Sequence, residues 1–282
     1  MSTEGSVSIL GYKVFAGSKE YFADGVTGVV ATLNPHSYVM ARRDERFREA
    51  LMSADILIPD GTGIQLAARV LDGRRIEKIA GSDLHEVIVN SLSGKGGSCF
   101  YPGSSDETQR RITERLSAGH PDVRAGVYSP PFREEFTDKE NRAMISAVNS
   151  FAPDVLFVGM TAPKQEKWVQ EHREKLAVPL ICPVGAVFDF YAGTVKRSGR
   201  FWIRMGLEWL PRLLREPGRL WKRNFISTPL FLYYLLREKI RITAGVQERH
   251  DAQVRISSSL RQDGETAGLK YRGKKNVDNS IS

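Results

Sequence analysis

The sequence predicts an α/β protein, a Rossmann-like and mostly parallel sheet flanked by helices, with a C-terminal helical appendage. Three observations predict it. Short β-rich runs alternate with amphipathic helical stretches through the first two thirds of the chain. Turns rich in Gly, Pro, Asp and Asn close those runs, as they do where a strand passes into a helix. After Lys196 the composition changes to Arg, Trp, Leu and Pro, which marks a region of different character.

The predicted strands are Val26–Leu33, Asp55–Ile58, Gly97–Tyr101, Val123–Tyr128, Asp154–Val158 and Val178–Pro183. Asn34 followed by Pro35 has the pattern of a helix cap with proline at the first helical position. Asp60-Gly61 and Thr161-Ala162-Pro163 form similar strand-to-helix turns. A chain of 282 residues, 41% of them hydrophobic, is long enough for one large domain and an appendage. The expected division is a core over 1–195, a basic Arg/Trp-rich appendage over 196–244, and a polar, disordered tail over 245–282.

The net charge of +8 is concentrated rather than spread. From Lys196 to Ile242 there are 12 Lys/Arg against 3 Asp/Glu, so the basic character belongs to the appendage. Arg200, Arg204, Arg212, Arg215, Arg219 and Arg223 lie among Trp202, Trp209 and Trp221, a mixture suited to anionic headgroups at a membrane interface. The apolar run from Phe225 to Leu236 has about half the length a bilayer span needs. The first thirty residues lack a basic start followed by an apolar run, so no export is expected. Cys99 and Cys182 sit in apolar strand-like runs, as inert thiols of a reducing compartment do.

Four turns carry the candidate chemistry. Thr32 and Asn34 end the first predicted strand, where a hydroxyl and a carboxamide would meet a ligand or merely cap a helix. Asp60 ends the second inside a glycine turn with Gly61; it is either a general base or an ordinary Asp-Gly turn. Gly159 leads into a helix start bearing Lys164 and Gln165, where free N–H groups favour an anion; the alternatives are a solvated Lys164 and a Trp168 that only anchors the core. Gly185 and Asp189 follow the last strand, where Asp189 would accept from a nucleobase or ribose, or cap a short helix. Ligands of open α/β sheets bind at these strand ends.

No GxGxxG occurs, which counts against a dehydrogenase. His36, His85, His120, His172 and His250 show no paired ligand spacing, and no Asp-x-Asp occurs. No metal and no cofactor is therefore expected, and a bound diphosphate would be neutralised by backbone amides and basic side chains.

The order and spacing of these turns resemble the WecG/TagA/CpsF glycosyltransferases, from about Ile9 to about Phe225. The resemblance rests on Thr32-x-Asn34, the Ala-Asp-apolar-Pro-Asp-Gly run ending at Asp60-Gly61, the Ala80–Leu84 run, the Ala162–Trp168 run Ala-Pro-Lys-Gln-Glu-Lys-Trp, Gly185–Gly193, and Gly206–Leu210 with its Arg-rich sequel. It implies an inverting, metal-independent transfer of a sugar from a UDP-sugar to a polyprenyl-diphosphate-linked saccharide, in exopolysaccharide or other cell-surface polysaccharide synthesis. Asp60 then matches the general base, and Thr32 and Asn34 match sugar contacts. Gln165 matches a residue near the diphosphate, and Asp189 one near the uridine. Gly61, Asp83, Gly159, Lys164 and Gly185 fall on the substrate side of the same motifs.

The resemblance further implies a peripheral protein at the cytoplasmic face of the inner membrane, with the appendage meeting anionic lipid and acceptor. No nucleic-acid partner is expected, and a homo-oligomer is compatible with the sequence. Two departures stand out: Ser129-Pro-Pro-Phe132 replaces a glycine and aromatic pair, and the stretch after Phe225 runs past the expected family end. The rival reading is a catalytically inactive adaptor that binds anionic lipid, or nucleic acid, through the Arg/Trp segment.

Overall fold

The computed structural model describes residues 5–194, Gly218 and residues 221–244. Arg200, Arg204, Arg212, Arg215 and Arg219, named above as lipid and acceptor contacts, lie outside the described residues, as do the side chain of Arg223 and the tail from residue 245.

Eight strands form one mixed sheet in the order β1-β2-β4-β3-β8-β7-β5-β6. They are β1 (Ser6–Ile9), β2 (Tyr12–Phe15), β3 (Gly28–Leu33), β4 (Ile56–Pro59), β5 (Ser98–Pro102), β6 (Arg124–Tyr128), β7 (Val155–Val158) and β8 (Leu180–Pro183). The last six are the predicted strands, trimmed by one or two residues at some ends, and all pair in parallel. The sequence reading did not anticipate β1 and β2, an antiparallel hairpin whose second strand joins β4 in parallel.

Helices cover both faces. The chain order is α1 (Pro35–Ala41), α2 (Glu45–Met52), α3 (Thr62–Leu71), α4 (Gly81–Leu92), α5 (Asp106–Gly119), α6 (Asp138–Phe151), α7 (Lys164–His172) and α8 (Val187–Ala192). A π-helical turn at Lys222–Ser227 then leads into α9 (Thr228–Thr243). One face of the sheet buries Val30, Ile56, Ile58 and Phe157 under Leu84 and Ile88 of α4, Ile112 and Leu116 of α5, and Val187 and Phe188 of α8. The opposite face buries Val29, Leu156 and Ile181 under Met144 and Val148 of α6 and Trp168 and Val169 of α7. Strands that are apolar on both sides explain why they were legible as continuous apolar runs. Trp168 anchors the core, with its indole N–H donating to Asn141 Oδ1 at 2.9 Å. Cys99 and Cys182 are buried free thiols, and burial pushes Cys99 up to about 11.

Candidate active site at the strand ends

Thr32, Asn34 and Asp60 stand at one level because β3 and β4 are locked in register. Thr32 pairs with Ile58 and Leu33 with Pro59, and the Asp60 N–H extends the ladder to Leu33 O at 2.9 Å. Strand alternation carries Thr32 and Asp60 to the face that α4 and α8 cover, since Val30, Ile56 and Ile58 all lie on it. Gly61 then turns the chain at φ +93°, a conformation that suits glycine, and starts α3 without a side-chain cap.

A third wall comes from the start of α4. The Ile79 N–H donates to Pro59 O at 2.9 Å, at the end of β4. Gly81 approaches the far side, where an added Cβ would lie 3.2 Å from Val187 Cγ2 and 3.6 Å from Val184 O. Residues 79–83 therefore bridge the ends of β4 and β8 across the end of β3. Asp83 is fixed on this bridge by accepting the Ala80 N–H at 3.1 Å.

Asn34 performs the capping role that was one of its two readings. Its Oδ1 accepts from the N–H groups of His36 and Ser37 at 3.0 and 2.9 Å, while Ser37 Oγ accepts the Asn34 N–H at 2.8 Å. With the oxygen engaged, any ligand contact falls to the Nδ2 hydrogens.

The neighbouring strand ends supply the second group. Gly185 follows β8 at φ +54°, and a Cβ there would lie 3.1 Å from Gln165 Oε1. Gln165 reaches this point from the first turn of α7 and is only 4% exposed. Its Nε2 donates to Glu166 Oε1 at 2.8 Å. Burial pushes the Glu166 carboxyl up to about 7, against the opposing hydrogen bonds from Gln165 and its own backbone. β4 and β8 are two strand spacings apart, so their ends, which lead to Asp60 and to Gly185, are about 10 Å apart across the sheet.

Three further residues with expected contacts have the following neighbours. Gly159 is glycine because the ring of Phe188 occupies its Cβ position, with ring carbons 2.2–2.5 Å away. Gly159→Ala is accordingly expected to lose about 2 kcal/mol, the cost of overpacking a core, which chemical denaturation measures. Lys164 is partly buried, its Nζ donating to Arg133 O at 2.6 Å and lying 3.4 Å from the centroid of Phe136. Asp189 lies in the first turn of α8, and its carbonyl accepts from Thr194 Oγ1 at 3.0 Å. Of the departing Ser129–Phe132 segment, Ser129 Oγ donates to Ser104 O at 3.0 Å and Phe132 is fully exposed. A separate cleft of about 230 Å³ opens at the amino end of β4, lined by Lys13, Met52 and Asp55 among others, and gathers none of these residues.

One partner of the site was missed. Ser227 Oγ lies 2.8 Å from His36 Nδ1. Phe231 is fully buried, with its ring 5.5 Å from that of Tyr38, and the Arg42 guanidinium lies 4.5 Å from the centroid of Tyr234. Phe231 also comes within 3.6 Å of where a Cβ on Gly63 would stand. Residues 227–234 thus pack on the first turns of α1 and α3, the helices that follow Asn34 and Asp60. The Thr32–His36 turn and the spacing of Phe231 and Tyr234 were visible signals, but neither names its partner.

The sequence model of the glycosyl transferase WecG/TagA/CpsF family matches residues 7–245, which makes the protein a glycosyltransferase. The chain belongs to the WecG/TagA/CpsF family. It is 27% identical over 221 residues to an N-acetylglucosaminyldiphosphoundecaprenol N-acetyl-beta-D-mannosaminyltransferase of Bacillus subtilis (strain 168), covering 78% of this chain and 84% of the relative. It is 26% identical over 228 residues to the protein of the same name from Staphylococcus aureus (strain MW2), covering 79% and 86%. The family region extends past Phe225 to residue 245, so the stretch that the sequence reading set beyond the family end lies within it. The packing of Phe231 and Ser227 gives the physical reason.

Proposed function

We propose that this chain moves a sugar from a UDP-sugar to a polyprenyl-diphosphate-linked saccharide, with inversion and without a metal, in cell-surface polysaccharide or exopolysaccharide synthesis. The observation that carries the reading is the convergence of Thr32, Asn34, Asp60 and Asp83 on the ends of β3 and β4, beside Gly185 and Gln165 at β8. In this mechanism Asp60 takes the proton from the acceptor hydroxyl as that oxygen attacks the anomeric carbon. The C–O bond to UDP breaks on the opposite side, and the diphosphate leaves with its charge held by preorganised N–H groups. Thr32 and Asn34 orient the sugar, and Asp189 meets the uridine. The lack of an Asp-x-Asp pair supports metal independence, so activity persists in EDTA.

The relatives' names motivate the first substrates to test, UDP-N-acetylmannosamine with N-acetylglucosaminyl-diphosphate-polyprenol. UDP release that depends on both is the expected result. No release with any of a panel of UDP-sugars would overturn the reading.

The acceptor is a lipid, and no helix among the described residues is long and apolar enough to cross a membrane. Peripheral attachment at the cytoplasmic membrane face through the Arg/Trp segment fits both facts. Replacing Arg212 and Arg215 with Ser is expected to weaken binding to phosphatidylglycerol vesicles about tenfold or more, at roughly 1 kcal/mol per basic residue. Vesicle sedimentation measures it, and undiminished binding would remove those arginines from the interface.

A further inference from the structure

We propose that Glu166 is a positioning residue: its buried carboxyl takes an amide hydrogen of Gln165 and turns the Gln165 carbonyl oxygen over Gly185, where it accepts from an O–H or N–H of the nucleotide sugar. The inference deepens the transferase reading above and rests on it.

Gln165 and Glu166 are adjacent polar residues, each no more than 5% exposed. The bond from Gln165 Nε2 to Glu166 Oε1, at 2.8 Å, fixes which way the carboxamide faces. With Glu166 ionised, reversing the amide would set two acceptor oxygens against each other. Gln165 Oε1 is therefore the end left over, and it is buried with no hydrogen-bond partner among the described residues. Buried acceptors are nearly always satisfied, and a donor brought by a ligand would offset the desolvation of this one. The missing Cβ of Gly185, which would come within 3.1 Å of this oxygen, leaves that position free of a side chain.

The chemistry also selects among ligand groups. Diphosphate oxygens are acceptors at neutral pH, so a carbonyl oxygen presented here does not bind them. Hydroxyl and N–H groups occur on both the uridine and the transferred sugar, and either satisfies Gln165. The contact that the resemblance places beside the diphosphate is thereby reassigned to a donor-bearing part of the substrate.

The test uses the full-length protein and two substitutions. Glu166→Leu removes the acceptor that holds Gln165 and leaves a buried amide N–H without that partner, so Tm falls while the fold is kept. The expected result is a rise of about tenfold in KM for the UDP-sugar, the weight of one hydrogen bond, with the acceptor KM unchanged. Glu166→Gln, whose amide oxygen still accepts from Gln165 Nε2, should return the donor KM to within about twofold of wild type. An unchanged donor KM in Glu166→Leu would overturn the proposal, as would equal impairment in Glu166→Gln, or an equal rise of both KM values.

Calorimetric titration with UDP, the UDP-sugar and inorganic pyrophosphate locates the contact. Weakening by Glu166→Leu seen already with UDP assigns the donor to uridine, and weakening seen only with the UDP-sugar assigns it to the sugar. Weakening reproduced with pyrophosphate would return Gln165 to the phosphates and overturn the proposal. A wild-type protein that releases UDP from no sugar would instead defeat the transferase reading, and the titrations would still decide the role of Glu166.

Discussion

Asp60→Ala is expected to lower kcat by ~10²–10⁴-fold, the usual weight of a general base, while the melting temperature stays at the wild-type value. The two halves of that expectation have separate physical grounds. Alanine keeps the N–H that donates to Leu33 O. It also leaves in place Gly61, which turns the chain at φ +93° into α3. What alanine removes is the proton acceptor beside Thr32 and Asn34. UDP release at saturating substrate, measured together with thermal unfolding, separates the two. An active variant would take Asp60 out of the base's role, and an inactive one with a collapsed Tm would make its contribution structural.

Glu166→Gln is expected to change how stability depends on pH. In the folded protein burial raises the Glu166 carboxyl from 4.5 to about 7. Between those values the folded chain holds a proton that the unfolded chain has released. Its contribution is thus fully present below pH 4.5, is lost as pH rises through about 7, and is level above that. The shift amounts to about 3 kcal/mol. Glutamine cannot ionise, so the variant should match wild type at pH 4.5 and exceed it by about 3 kcal/mol at pH 8. For a domain of this size that is roughly 6–12 °C in Tm. Thermal melts of both proteins across this range test it, because every other titration is shared; parallel curves would show that Glu166 is not raised.

β3, β4, β5, β7 and β8 were legible as apolar runs closed by turn residues, and the edge strand β6, with Arg124 and Val127 exposed, from its β-rich composition and flanking turns. The β1–β2 hairpin was not. Its strands are four residues each, and Leu10 and Gly11 join them at φ +51° and +88°. A leucine in a left-handed turn gives none of the Asn-Gly or Asp-Gly signal by which short hairpins are found. At the site, Asn34 and Asp60 were legible as strand-end turn chemistry, although only coordinates show that Asn34 uses its oxygen as a cap. The bridge at Ile79–Asp83 was visible as a motif without a location. Glu166 was visible only as one residue of the Ala162–Trp168 run, since its burial depends on how α7 meets the sheet. The link from His36 to Ser227 spans 191 positions, beyond the reach of any local pattern.

That last contact bears on when the enzyme becomes an enzyme. Polypeptides emerge from the ribosome amino end first, and the sheet through Pro183 can assemble as it appears. The turn at Asn34 lacks the seat of Phe231 until residues some two hundred positions later have been made. Pairings so remote in sequence form slowly, because a long loop must close before they contribute. A nascent or truncated chain would thus have its strands in place while the first turn of α1 stays uncovered, and the final step of maturation is the arrival of the carboxyl-terminal segment.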